Sequence, residues 1–156
     1  MMGQDDPKKC TAAKLVKFKM AIPVRRIPVN SMLLHPYADE VLLPRDNNRN
    51  ICAIDCSWRL ASQEFTRIMY SHGRHLPPLL AGNPTNYAKI GKLSTVEAIS
   101  AALYITGFMD RAILLLDKFR WGHTFLELNA GPLQEYSGAH TKDQMYDIAK
   151  SYRLLP

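Results

Sequence analysis

Apolar residues fall in short blocks over the first half of the chain and at helical spacing over the second. SMLLH (31–35) has the length and uniform apolarity of a short buried strand, and VLLPRDNN reads as its exit into a turn. ICAID (51–55) is a second apolar strand. WRLASQEFTRIMY, from Trp58 to Tyr70, keeps a helical period, and HGRH (72–75) marks its end. LPPLLAGNP (76–84) is strand-like but broken by proline and glycine. Upstream, Asp6-Pro7 predicts a helix start, with Asp as cap and Pro at the first helical position. That helix is expected to run to Lys19, with Leu15 and Phe18 facing inward and Lys14 and Lys17 outward. IPVRRIPVN (22–30) holds two prolines and must be extended or looped.

Beyond residue 90 the pattern changes. Ser94-Thr95-Val96-Glu97 is a capping box, opening the apolar helix VEAISAALYITG, which stops at Gly107. Asp110 starts RAILLLDKFRW, and helical patterns continue through FLELN and KDQMYDIAKSY. Strand–helix alternation followed by helices predicts an α/β fold with a mainly parallel sheet in an N-terminal lobe and a helical C-terminal lobe. The seam is expected between Leu76 and Asn83, giving lobes of 1–76 and 77–156, with no internal repeat.

A chain of 156 residues, 47% hydrophobic and 22% charged, fits one domain or two small lobes sharing a core. No apolar stretch approaches the ~20 residues that cross a bilayer, and the start MMGQDDPKKC lacks the apolar run of a secretory signal. The three cysteines, Cys10, Cys52 and Cys56, suit reduced thiols in a cytoplasmic protein. No histidine supplies a partner pattern for zinc, so no metal is expected.

The net charge of +6 is concentrated at one end. Residues 1–30 hold Lys8, Lys9, Lys14, Lys17, Lys19, Arg25 and Arg26 against Asp5 and Asp6, a local +5. Such a cluster suits a polyanion, because Lys and Arg displace counterions from phosphates. It equally suits a solvated surface, and charge alone leaves both open.

Three segments bear candidate chemistry. Asp55 ends an apolar strand ahead of a helix, where ligands of open α/β sheets gather. A carboxylate there can contact a ribose or act as a base, and it can also simply cap the helix. The loop 81–94 runs into a helix N-terminus whose free N–H groups suit a carboxylate or a nucleobase edge, though it has no G-x-G-x-x-G pattern. In the stretch from Phe119 to Asn129 the aromatics read as core, and His123 as a structural histidine.

Taken together, DDPKKCT, IDCSW, LPPLLAGNPTNY, KLSTVEAISAALYITGF and KFRWGHTFLELN, in this order, closely resemble the small-subunit ribosomal RNA aminocarboxypropyltransferases of archaea and eukaryotes. The resemblance spans residues 5–139. It implies a SPOUT-like α/β fold with a deep trefoil knot at the cofactor site. It also implies transfer of the 3-amino-3-carboxypropyl (acp) group of S-adenosylmethionine to N3 of a hypermodified (pseudo)uridine. The resemblance places Thr11 at the cofactor's amino-acid or ribose end, Ile54 at the ribose, and Leu76, Gly91 and Thr95 at the adenine. Leu42, Pro44 and Trp58 would enclose the sulfonium methyl, with Asp55 as general base. Lys8, Lys9, Lys14, Lys17, Lys19, Arg25 and Arg26 would meet the RNA backbone.

Similar proteins usually carry a strand ahead of DDPKKC, so this sheet is expected to be one strand short. They often carry tyrosine where Gly91 stands, and a main-chain contact survives that change while stacking does not. Small-subunit rRNA or a pre-ribosomal particle is the expected partner of a cytoplasmic monomer, with no membrane contact. A SPOUT-like methyltransferase and a non-catalytic ribosome-associated RNA-binding protein are the rival readings.

Overall fold

The computed structural model describes residues 10–54 and 72–155. Three parallel strands form the sheet: β1 (Ser31–Leu34), β2 (Asn50–Ala53) and β3 (Gly73–Arg74), in the order β2-β1-β3. Register pairs Leu34 with both Ala53 and Arg74, so the carboxyl ends of all three strands lie side by side. All four residues of β1 are buried, as a central strand covered on both faces requires. Ser31–Leu34 and residues 51–53 are therefore strand as the pattern predicts, while Asp55 and the helical pattern of 58–70 lie outside the described residues. HGRH is the exception, because its Gly73-Arg74 is itself the third strand. Two residues without an apolar run carry no strand signal, and pairing with β1 alone makes them one.

Helix α1 spans Thr11–Lys17 and is capped by Cys10, whose Sγ accepts the Ala13 N–H at 3.3 Å. This helix begins at Thr11 after an extended Cys10, and Asp6-Pro7 lies outside the described residues. Leu15 is buried, but Phe18 is 43% exposed and caps the helix end rather than packing inward. The reason is helix length: the chain leaves α-geometry at Phe18, and Lys19 takes a left-handed φ of 58°.

The C-terminal elements are α2 (Thr95–Ile105), α3 (Met109–Leu116), α4 (Gly122–Ser137) and α5 (Lys142–Ser151). α2 has the capping box its sequence announces and ends at Gly107, whose φ of 95° and N–H bond to Tyr104 O complete the turn. α4 extends well beyond FLELN, through a buried Pro132. Burial of Phe125, Asn129, Leu133 and Tyr136 along one face offsets the backbone bond that proline removes.

One contiguous cluster of buried side chains joins both halves, from Leu15, Met32 and Leu42 to Val96, Phe125 and Tyr136. α2 is its hub, packing against β2, α1, α3 and α4. Among the described residues no helix is long and apolar enough to cross a membrane.

Candidate cofactor and RNA site

The carboxyl end of the sheet is built from chain crossings. Residues 40–46 fold across it, with the Leu42 N–H donating to His75 O at 2.8 Å and the His75 N–H to Glu40 O at 2.9 Å. A parallel bridge between Val41 and His75 extends β3 by this route. Asp46 then accepts both the Leu43 N–H at 2.9 Å and Arg74 Nε at 3.3 Å, an ion pair that ties the turn to the strand end. Leu42 and Pro44 are thereby brought beside Leu76, the residue after His75. Leu42 is wholly buried and Pro44 and Leu76 half-buried. Ile54, half-buried, leaves β2 at the same edge.

Two helix N-termini meet elsewhere in the core. Thr11 opens α1, and its Oγ1 accepts the Val96 N–H of the first turn of α2 at 3.2 Å. Thr11 and Thr95, far apart in sequence, are neighbours through this bond. The Thr11 hydroxyl keeps its own proton to donate, which suits a carboxylate.

The loop 81–94 differs from the sequence expectation. Several of its N–H groups, and one at the helix start, are not left free for a ligand: Glu97 takes those of Gly82, Asn83 and Ser94, and Thr11 takes that of Val96. Glu97 is fully buried, and one oxygen accepts the Gly82 N–H at 2.6 Å and the Asn83 N–H at 3.0 Å. The other accepts the Ser94 N–H at 2.7 Å, Ser94 Oγ at 2.8 Å and Asn83 Nδ2 at 2.8 Å. Five neutral donors around one carboxyl group pin both ends of the loop to α2. Sequence reasoning saw Glu97 as half of a capping box. Its reach to Gly82 and Asn83 has no local signal, since both lie more than a dozen residues upstream.

Gly91 sits on the returning strand of this loop, where Leu80 and Ile90 form an antiparallel bridge. Its N–H donates to Leu79 O at 2.9 Å, so a main-chain contact from Gly91 to a nucleobase falls to its carbonyl. Its φ is 73°, and a Cβ built there meets nothing within 4 Å. That open side fits a flat heterocycle laid against the backbone.

α4 braces the strand-like run on its other flank. The buried Asn129 accepts the Leu80 N–H and donates to Leu80 O, both at 2.8 Å, while Tyr136 donates to Pro78 O at 2.9 Å. Burial pushes the Tyr136 phenol well above its ordinary range, with the nearby Glu135 charge adding to the effect. Neither residue drew notice in the sequence, because an asparagine in a helix has no local signature of the strand it will clasp. Phe119 and Phe125 are core, as read, but His123 is exposed on the first turn of α4.

Of the basic residues, Lys14 places Nζ 5.7 Å from the centre of the Phe119 ring, a cation–π contact that ties it to the helical half. Lys17, Lys19, Arg25 and Arg26 are exposed. Asp55 and Trp58, with Lys8 and Lys9, lie outside the described residues. Among the described residues no three His, Cys, Asp or Glu side chains are grouped to hold a metal.

A family model described as "Ribosome biogenesis protein, C-terminal" matches residues 32–153, most of the chain. The 16S rRNA aminocarboxypropyltransferase of Methanosarcina mazei is 41% identical over 156 aligned residues, covering 96% of this chain and 90% of that one. The enzyme of the same name from Thermoplasma acidophilum is 45% identical, covering 97% and 94%. The chain belongs to the 16S rRNA aminocarboxypropyltransferase family. A solved relative, the SAM-dependent rRNA:acp-transferase Tsr3 from Vulcanisaeta distributa, superposes with a TM-score of 0.83 at 36% identity, over 97% of this chain and 92% of that one.

A second model, for a possible Fer4-like domain in RNase L inhibitor, matches residues 2–26. That stretch holds one cysteine, Cys10, whereas iron–sulfur clusters are held by several thiolates. The match therefore reflects shared sequence pattern in the basic segment rather than a ligand set.

Proposed function

We propose that this protein transfers the acp group of S-adenosylmethionine to N3 of a hypermodified (pseudo)uridine in small-subunit ribosomal RNA during ribosome biogenesis. The observation that carries the reading is the near-full-length likeness to 16S rRNA aminocarboxypropyltransferases. The bond from Thr11 to the first turn of α2 and the open side of Gly91 suit the same donor.

When bound, S-adenosylmethionine supplies a sulfonium centre that activates three carbons for displacement, and orientation selects which one reacts. Leu42, Pro44 and Trp58 wall off the methyl carbon, Leu42 from within the core. Trp58 would also supply a cation–π contact to the positive sulfur, worth about 1–2 kcal/mol. Thr11 would hold the amino-acid or ribose end, Ile54 the ribose, and Leu76, Gly91 and Thr95 the adenine. Asp55 takes the N3 proton as the N3–carbon bond forms and the carbon–sulfur bond breaks. The basic segment, Lys8, Lys9, Lys14, Lys17, Lys19, Arg25 and Arg26, positions the RNA through its phosphates. A SPOUT-like fold with a trefoil knot, lobes of 1–76 and 77–156, and a cytoplasmic monomer acting on rRNA or a pre-ribosomal particle belong to the same reading.

Isotopic labelling tests the activity. Incubated with a small-subunit rRNA fragment, the protein should move label from the carboxypropyl carbons of S-adenosylmethionine into RNA and leave label in the methyl group behind. Methyl transfer would replace this reading with a methyltransferase.

A further inference from the structure

Along α2, from Ile99 to Thr106, lies a groove of about 760 Å³. It begins one turn beyond Thr95 and touches the 40–46 crossing at Asp46, so it continues from the cofactor end along the helix. Three cations from separate elements line it: Lys19 after α1, Arg49 before β2, and Arg111 in α3. The one acidic residue among its described lining, Asp46, is offset by Arg74 at 3.3 Å. Asn47, Asn48 and Asn50 add amide donors and acceptors, and Leu103, Leu115 and Phe108 give it apolar surface. The Arg111 guanidinium lies over the Phe108 ring at 5.4 Å, and the ring remains 38% exposed.

We propose that this groove takes unpaired nucleotides of the RNA beside the one being modified. The proposal rests on the RNA reading above and adds a second contact region to it. Cations flanking an aromatic and apolar floor match single-stranded RNA, whose phosphates take the cations while its bases stack. A duplex would bury its bases and meet only the cations. Asparagine amides can pair with the polar edge of a base splayed into the groove. Lys19 supports the assignment through its backbone. Its left-handed φ of 58° is one that glycine fills at lower cost, as Gly107 does at the end of α2. The side chain at the groove's rim is thus held there against the preference of the turn.

The test is fluorescence anisotropy of a short labelled single-stranded RNA on the full chain, repeated across salt concentrations. Arg49→Gln and Arg111→Gln should each weaken binding and lower the magnitude of the salt slope by about 0.7. Phe108→Ala should weaken binding roughly 5- to 100-fold at an unchanged slope, as loss of stacking does. Lys19→Gly should weaken binding while Tm holds or rises, which separates lost contact from lost fold. Affinity for S-adenosylmethionine should be the same in all four. Wild-type RNA affinity and slope in both arginine variants would overturn the proposal, as would a duplex of the same sequence binding as tightly as the single strand. The groove is read by RNA affinity and the activity by carboxypropyl label. A wild-type protein that moves no label therefore sinks the activity alone, and unaltered RNA binding by the variants sinks the groove alone.

Discussion

Glu97 shows how much a single side chain can organise. Its carboxyl group replaces water for three backbone N–H groups and two side chains in a site without solvent. Glu97→Ala leaves those donors buried without an acceptor, and urea unfolding should show a loss of about 3 kcal/mol or more. Glu97→Gln keeps one acceptor but sets an amide N–H against neighbouring donors, so a smaller loss of about 1–2 kcal/mol is expected. Tyr136 offers a pH test. Burial raises its folded pKa above the unfolded value near 10, so the folded state holds the proton more tightly. That contribution is fully present below pH ~10 and is lost as pH rises further. Tyr136→Phe should therefore be less stable than wild type near neutrality by about 1 kcal/mol, the net worth of its bond to Pro78 O. The gap should narrow in melts taken above pH 10. A constant gap would mean that the phenol has the same pKa in the folded and unfolded states.

At the scale of elements, α1 is the most informative. Lys14 and Lys17 occupy its last turn, where positive charge favours the helix carbonyls. Lys14 also rests against Phe119, whereas Lys17 points to solvent. Lys14→Glu is thus expected to lose about 1 kcal/mol of stability along with RNA affinity. Lys17→Glu should lose RNA affinity with a stability change of only a few tenths of a kcal/mol. Parallel thermal melts and RNA titrations check the split. Equal RNA affinity in Lys17→Glu and wild type would return that side chain to the solvated surface. Glycine has a comparable element-scale role where the loop crosses α4. A Cβ at Gly82 would stand 2.5 Å from the Phe125 backbone nitrogen, so only glycine lets the loop lie on that helix.

For the whole molecule, the proposed chemistry depends on Asp55, which follows β2 in sequence and lies outside the described residues. Asp55→Asn keeps size and most hydrogen bonds but cannot accept a proton. A loss of ~10²–10⁴-fold in acp transfer with near-normal cofactor binding is expected. Unchanged transfer at saturating cofactor would remove the base role, and weaker binding with transfer retained would make Asp55 a positioning group. Much of the molecule is legible along the chain. Alternating short apolar blocks give β1 and β2, the Ser94–Glu97 box gives the start of α2, and Gly107 gives its end. The family is legible too, in five ordered motifs. These signals are local, set by periodicity and by the backbone needs of a few residues. β3, the clasp of Asn129 on Leu80, the second set of donors on Glu97 and the meeting of Thr11 with Val96 leave no local trace. Each joins residues distant in sequence, and its free energy is gained only after the core has brought them together. The chain by itself determined the helices, two strands and the chemistry to expect, while tertiary packing decided which backbone donors the protein keeps for itself and which cations it leaves exposed.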